Sequence, residues 1–206
     1  LSSIAQRLED RMTEVATTRT RRTAADRRKQ LIGIGLRMLT ARPIHQVTVD
    51  EVAAEAGISR SLLFHYFPTK QDFYVEVVRA ASRRLLRAGG PGDDARAMIE
   101  GYVSFIGRHR TQYVGIFRGA GEDDWARQIR DETQDELTVR IMATLGLTNP
   151  PEPVELAVRA WWSFAEELTL RWTGRETTDR NTLVDLLLRT LDSLVTIAQS
   201  CTQPPP

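Results

Sequence analysis

The stretch GISRSLLFHYFPTK, residues 57–70, gathers the side chains of this chain best suited to touch a large ligand. Phe64, His65, Tyr66 and Phe67 stand in a row, with Arg60 ahead of them and Lys70 behind. Arg60 alone among the outward candidates has a strong base preference, because a guanidinium matches the O6/N7 edge of guanine in bidentate fashion. Catalytic chemistry is thin by comparison. The three histidines, His45, His65 and His109, are scattered. HExxH, GxSxG, P-loop and GxGxxG patterns are absent, as is the ExxH spacing of a di-iron site. The single cysteine, Cys201, excludes an intrachain disulfide framework and a CxxC site. A chain without a positioned nucleophile or base is expected to bind rather than react, and neither cofactor nor metal is expected.

Charge sharpens this expectation once it is resolved along the chain. The net charge is +1, but residues 1–70 carry +5 and residues 71–206 carry −4. The excess is densest in RTRRTAADRRK, residues 19–29, where six basic residues face one Asp26. Such asymmetry suggests a polyanion for the N-terminal part, or a solvated charged arm. An architectural DNA protein needs larger basic surfaces than the acidic C-terminal part provides. No apolar run is long enough for a membrane span. The N-terminal residues lack the h-region and cleavage site of a signal peptide. A reducing cytoplasm is the expected compartment.

Apolar residues recur at three- and four-residue spacing almost throughout, which predicts an all-α chain. Ile4, Leu8, Met12 and Val15 share a face and predict a short N-terminal helix ahead of the basic connector. A strong helix is expected from Ala24 to Thr40, with Pro43 just beyond it. Gly33 and Gly35 each weaken that helix by about 1 kcal/mol relative to Ala, which close packing against a neighbour would explain for Gly35. Thr48 and Glu51 form a capping-box pair ahead of VDEVAAEAG. Gly57 ends that helix, and Ser59 caps RSLLFHYF. A long helix follows Pro68 and Thr69, and GGPGDD, residues 89–94, marks the clearest break. Five further helices are expected beyond it. The divisions are therefore 1–23, an extension with a basic arm; 24–70, a helix-turn-helix domain; 71–88, a connecting helix; and 89–206, a larger helical domain.

The helix-turn-helix reading rests on spacing. Counted from Val49, position 4 is Val52, 5 is Ala53, 8 is Ala56, 9 is Gly57, 10 is Ile58, 15 is Leu63 and 18 is Tyr66. A small residue at position 5 lets the second helix cross the first closely, and glycine at 9 supplies the tight turn. The apolar positions join the two helices to a third, and the second helix can then enter a major groove. Leu63, Ile58 and Phe67 face inward on this geometry. Arg60, Ser61, Leu62, Phe64, His65 and Tyr66 lie wholly or partly outward. An αα-hairpin in a helical bundle is the plainer alternative for the same pattern.

The run LIGIGLRML…VTVDEVAAEAGISRSLLFHYFPTKQDFYVEVV resembles the DNA-binding domain of the TetR family of transcriptional regulators over about residues 24–75. The resemblance implies that Thr48 and Lys70 hold phosphates, that Arg60, Ser61 and Leu62 lie nearest the bases, and that Ser59 belongs to the same DNA-binding set. It places Phe64, His65 and Tyr66 against sugar-phosphate or thymine methyls. Phe64 stands where tyrosine is common and so lacks a hydroxyl for a phosphate. Arg19, Arg21 and Arg22 are expected to reach an adjacent groove or the backbone, as other N-terminal arms do.

Aromatic side chains crowd the C-terminal part: Tyr102, Phe105, Tyr113, Phe117, Trp125, Trp161, Trp162 and Trp172. An interior of this kind is either solid core or a pocket for an apolar ligand. The resemblance implies an effector bound between these helices, and the aromatic and aliphatic side chains would suit a small, largely apolar or amphipathic one: lipid-like, an acyl-thioester or a planar drug-like molecule. The candidate lining is Tyr102, Phe105, Ile106, His109, Tyr113, Phe117, Trp125, Ile129, Trp161, Trp162, Ala165 and Glu166. His109 could equally be a surface residue at a helix end, and Glu167 is better placed than Glu166 for a salt bridge. The last two helices are expected to form a homodimer through Leu183, Leu187, Leu191, Leu194 and Ile197. A two-fold dimer sets the recognition helices about 34–36 Å apart on a palindromic operator in double-stranded DNA. The whole reading is a ligand-responsive dimeric repressor, with a helical-pocket enzyme or an architectural protein as alternatives.

Overall fold

A computed structural model of the chain describes residues 23–39, 42, 46–90, 94–118, 123–175 and 179–201. The expected helix at Ile4–Val15, the basic arm with Arg19, Arg21 and Arg22, and Pro43 and His45 lie outside the described residues. Among the described residues there are eight α-helices, one π-helical turn and no strand. The helices are α1 Ala24–Met38, α2 Val49–Glu55, α3 Arg60–Tyr66 and α4 Lys70–Ala88, then α5 Ala95–Tyr113, α6 Asp124–Thr144, α7 Glu152–Thr173 and α8 Arg180–Ser200. The π-helical turn is Val114–Arg118, directly after α5.

Short polar side chains set most of the helix starts. The Thr48 hydroxyl accepts from the Glu51 amide at 3.2 Å, and the Glu51 carboxylate accepts from the Thr48 amide at 2.9 Å. This reciprocal pair fixes where α2 begins. Thr69 and Asp72 repeat the device at α4, where the sequence pattern was read only as a break. Ser59 accepts from the Leu62 amide at 3.2 Å to start α3. Gly57 joins α2 to α3 at φ +64°, a backbone that L side chains rarely adopt.

Two glycines allow the close helix crossings. A Cβ on Gly35 of α1 would come within 2.8 Å of both Phe73 Cζ and Val77 Cγ2 of α4. A Cβ on Gly101 of α5 would come within 1.9 Å of the Ala88 carbonyl oxygen at the end of α4. Gly33, by contrast, has nothing within 4 Å, and no packing in the structure explains it. The N-terminal core closes around Leu31, Val52, Ala53, Leu63, Phe67 and Phe73, all buried. Phe67 and Phe73 meet edge to face at 5.2 Å. Helix α4 then runs on to pack against α5 and α6, so one helix serves both halves of the molecule.

Three polar contacts join the elements over long sequence distances. Arg28 of α1 donates to the Tyr66 carbonyl at 2.8 Å, pairs with Glu76 at 3.3 Å and lies 4.6 Å from the centre of the Phe67 ring. The buried Tyr74 hydroxyl donates to the Val47 carbonyl. The buried Gln112 amide, at the end of α5, donates to the Leu36 carbonyl in the last turn of α1. That carbonyl belongs to the set a helix C-terminus leaves without an internal partner.

The first two of the five helices expected beyond residue 94, which would meet at His109 and Arg110, are the two segments of α5: the His109 backbone is non-helical at φ −124°, ψ 26°, and the segments join there across a kink. The turn into the π-helical segment follows five residues later.

The glycine contacts yield a paired expectation for urea denaturation. Gly35→Ala destabilises the fold by about 1–3 kcal/mol through overpacking against Phe73 and Val77. Gly33→Ala stabilises it by about 0.5–1 kcal/mol by removing glycine's helix penalty. Equal effects from the two substitutions would contradict this account of the α1–α4 crossing.

Candidate functional site

The outward face of α3 carries the residues singled out by spacing. Arg60, Ser61, Leu62 and His65 are exposed, while Phe64 and Tyr66 are half-buried. Leu62 is 39% exposed, which is unusual for a leucine on a helix whose other face holds the fully buried Leu63. Arg60 is not free. Its guanidinium reaches Asp50 Oδ1 at 3.2 Å and Oδ2 at 3.0 Å and lies 5.4 Å from the Phe64 ring centre. Asp50 comes from the first turn of α2, ten residues away, a pairing that sequence spacing did not signal. Both partners are more than half exposed, so water screens the pair and it is weak. His65 and Tyr66 meet edge to face at 5.5 Å.

The two proposed phosphate ligands differ in their present engagement. The Thr48 hydroxyl donates to Glu51 Oε2 at 2.8 Å, so its one proton is already committed. Hydrogen bonds from the Thr48 backbone and hydroxyl, with Arg42 beside them, hold the Glu51 carboxyl down at about 2. Lys70 is exposed at the first position of α4, with its Nζ 5.1 Å from the Tyr74 ring centre. Of the basic run, Arg28 is turned into the fold by its contacts with Tyr66, Glu76 and Phe67. Its role is structural, which a count of charges did not reveal.

A second site lies in the C-terminal half. A cavity of about 30 Å³ is lined by Leu85 of α4, Tyr102 and Tyr113 of α5, Phe117, residues 130, 133, 134 and 137 of α6, and Trp162, Ser163 and Glu166 of α7. Five of the twelve expected lining residues are there: Tyr102, Tyr113, Phe117, Trp162 and Glu166. Phe105, Ile106, Ile129 and Ala165 are buried in the surrounding core instead. Trp125 is half-buried outside the lining, and His109 is exposed at the bend of α5. His109 is corrected to the surface histidine of the two readings, with its ring 4.9 Å from Phe105.

The polar liners from α6, namely Arg130, Thr133 and Gln134, were missed because the apolar signals of that helix, Trp125 and Ile129, drew the expectation to positions outside the lining. The Tyr113 hydroxyl donates to Glu166 at 3.0 Å, and Arg118 lies 3.5 Å from the same carboxylate oxygen. Burial pushes the Tyr102 and Tyr113 hydroxyls well above the usual phenol range, so both remain neutral donors. Glu167 faces outward and holds Arg171 at 2.6 Å and Arg118 at 2.9 Å.

The expected dimer face is narrower than its sequence pattern. Leu183, Leu187 and Leu191 are buried at 2%, 0% and 1% exposure within the chain's own core, between α8 and helices α5 and α7. A helix with a wide apolar surface covers its own domain first, which is why those three are occupied. Leu194 is half-buried, and Ile197 is 60% exposed. Ile197 and Leu194 border an open groove of about 510 Å³ between α7 and α8, with Ala160, Trp161 and Phe164 on its other side. Trp161, expected at the cavity, lines this groove and donates to the Thr190 hydroxyl at 3.1 Å.

Among the described residues no cluster of three or more His, Cys, Asp or Glu could hold a metal ion. Among them, too, no helix is long and apolar enough to cross a membrane.

Comparison with known proteins agrees with this layout in both halves. A family model described as bacterial regulatory proteins, tetR family, matches residues 31–77. A second, tetracyclin repressor-like, C-terminal domain, matches residues 91–193. The HTH-type transcriptional regulator BetI of Agrobacterium fabrum is 29% identical over 139 residues, covering 61% of this chain and 66% of that protein. The HTH-type transcriptional activator FasR of Mycolicibacterium smegmatis is 27% identical over 119 residues, covering 53% and 54%. The chain thus spans less than two thirds of each of these curated relatives.

A crystal structure of a tetR-family transcriptional regulator from Streptomyces coelicolor superposes with a TM-score of 0.74 at 30% identity, over 85% of this chain and 83% of that one. A putative transcriptional regulator from Pseudomonas aeruginosa shares the fold at 18% identity, with a TM-score of 0.71 over 91% and 99%. These relatives are transcriptional regulators, not enzymes. With both halves matched in order, and the turn, the capped α2–α3 pair and the helical C-terminal half in place, the chain belongs to the TetR family of bacterial regulatory proteins.

Proposed function

We propose that the chain is a dimeric repressor that grips a palindromic operator through α3 and is released by a small-molecule effector bound between α4, α5, α6 and α7. The observation that carries this reading is the exposed Arg60–Tyr66 face on a short helix whose opposite side is closed into the core by Leu63 and Phe67. Such a helix presents side chains to a groove without losing its support. Arg60 reads a guanine after exchanging Asp50 for the base edge; Ser61 and Leu62 contact neighbouring bases. Lys70, Thr48 and Ser59 engage phosphates, with Thr48 releasing Glu51 to do so. Phe64, His65 and Tyr66 pack on sugar or thymine methyl, and Arg19, Arg21 and Arg22 follow the backbone.

The second copy docks on the α7–α8 groove. Phe164 is 44% exposed and Ile197 60% exposed on either side of that groove, apolar side chains that a second copy would cover. Communication between cavity and head runs through Gln112. It precedes Tyr113, which lines the cavity, and its amide caps the last turn of α1. Movement of the α5 end on effector binding therefore pulls on the helix that supports the head.

Selection from a random duplex pool tests the reading directly: an inverted repeat is the expected product, and enrichment of no sequence would refute it. On the selected operator, Arg60→Ala costs about 1–3 kcal/mol and relaxes preference at one guanine. A uniform loss across all operator variants would make Arg60 a phosphate contact instead. Phe164→Glu with Ile197→Glu yields a helical monomer in sedimentation and abolishes operator binding; a dimer of unchanged mass would move the interface elsewhere. Gln112→Leu shifts operator affinity by about fivefold or more while the salt dependence, which counts phosphate contacts, stays the same. Unchanged affinity would mean that the two halves communicate by another route.

A further inference from the structure

The polar groups around the cavity are unevenly satisfied. Tyr113, Glu166 and Arg118 form a closed set. Thr133 donates to the Ile129 carbonyl at 2.6 Å. Gln134 donates to the Arg159 carbonyl at 2.8 Å and to Ser163 at 3.3 Å. Two buried nitrogens of the lining have no partner: Arg130 Nε and Trp162 Nε1. Trp162 is only 3% exposed, and among the described residues the Arg130 guanidinium makes no ion pair. The other unpartnered buried atoms, the Ser82 and Thr169 hydroxyls, lie outside this lining.

Both orphaned groups are donors only, since neither indole nor guanidinium can accept. A buried donor left unpaired is costly; Arg130 as a residue is half-buried, and it is its Nε, turned to the cavity, that water does not reach. The complementary ligand therefore supplies acceptors and a negative charge. The charge it can carry is limited. Glu166 lines the same cavity and is neutralised by Arg118, so Arg130 is the one uncompensated charge of the lining. A dianion would face Glu166 without a second cation.

We infer that this cavity takes a small monocarboxylate, its oxygens accepting from Arg130 Nε and Trp162 Nε1 and its apolar remainder lying against Leu85, Phe117 and Leu137. The assignment rests on the reading of this domain as the effector-binding one, and it narrows a largely apolar or amphipathic effector to one that has an anionic end. At about 30 Å³ the cavity has room for one or two waters, so the ligand must open it. The wall that yields is the segment from the bend at His109 through the π-helical turn at Val114–Arg118. That segment carries Tyr113 and Phe117, and π-helical turns of this kind are frequent at functional sites.

Benzoate and hexanoate, with benzamide and hexanamide as neutral counterparts, provide the test. Full-length protein is titrated with each, reading tryptophan fluorescence, melting temperature and release of a labelled operator duplex. The carboxylates are expected to bind at least tenfold more tightly than the amides. Arg130→Met should remove that preference and, without ligand, melt no lower than the parent, because an unpaired guanidinium contributes nothing to the fold. Trp162→Phe, which keeps the ring and removes the donor, should weaken the carboxylates several-fold. Amides that bind as well as carboxylates, or a preference that survives Arg130→Met, would overturn the carboxylate while leaving an effector cavity in place. An Arg130→Met protein that melts lower would make the guanidinium structural and overturn the assignment as well. No response to any of the four probes in any readout would remove both the carboxylate and the effector reading.

Discussion

The crossing of α1 over α4 at Gly35 is the constraint on which the remaining structure depends. With no Cβ at that point, Phe73 and Val77 come up against the α1 backbone. Phe73 in turn receives Phe67 edge-on, at the end of α3. Helix α3 is therefore positioned by the helix that follows it in sequence, α4, and by a glycine more than twenty residues before it. Because α4 continues past the head to pack on α5 and α6, the same crossing sets how the two halves are joined. The second bare backbone, at Gly101, brings α5 against the other end of α4.

Polar contacts decorate this apolar frame at its joints. Arg28, Tyr74 and Gln112 each donate to a backbone carbonyl at or just outside a helix end, and each crosses a long stretch of sequence to do so. A carbonyl at a helix C-terminus has to find a donor, which Arg28 supplies at the end of α3 and Gln112 at the end of α1, while Tyr74 serves the Val47 carbonyl just ahead of α2. Gln112 is the most consequential of the three, because the next residue enters the cavity wall.

The two sites follow opposite physical rules. The face of α3 is built from exposed side chains, and the partner that competes for Arg60, Asp50, is weak. Exposed ion pairs exchange readily with phosphate or base because water has already screened them. The cavity holds the reverse arrangement, with donors sequestered from water and left unpaired. A site of the first kind suits a large, solvated polyanion, and one of the second a small ligand that replaces the missing acceptors.

Local sequence was enough for whatever depends on contacts within a turn or two. The capping pair Thr48–Glu51, the turn at Gly57, the Ser59 cap and the inward positions Leu63 and Phe67 all follow from three- and four-residue spacing, and each stands in the structure. The close approach at Gly35 was anticipated too, although a glycine inside a helix does not by itself require a neighbour: Gly33 has none within 4 Å. Pairings between elements were not. Asp50 with Arg60, Arg28 with Glu76 and Gln112 with Leu36 join residues whose separations carry no periodic signal. Aromatic content located the C-terminal interior but could not divide it, because a solid core and a cavity wall present the same pattern along a helix. So Phe105 and Ile129 became core, Trp161 went to the outer groove, and the polar wall came from α6. The wide leucine face of α8 likewise could not say which residues its own domain would cover. Sequence determined the helices, their ends and the faces they bury. Only the packing of one face against another decided which buried groups found partners and which, like Arg130 and Trp162, were left without them.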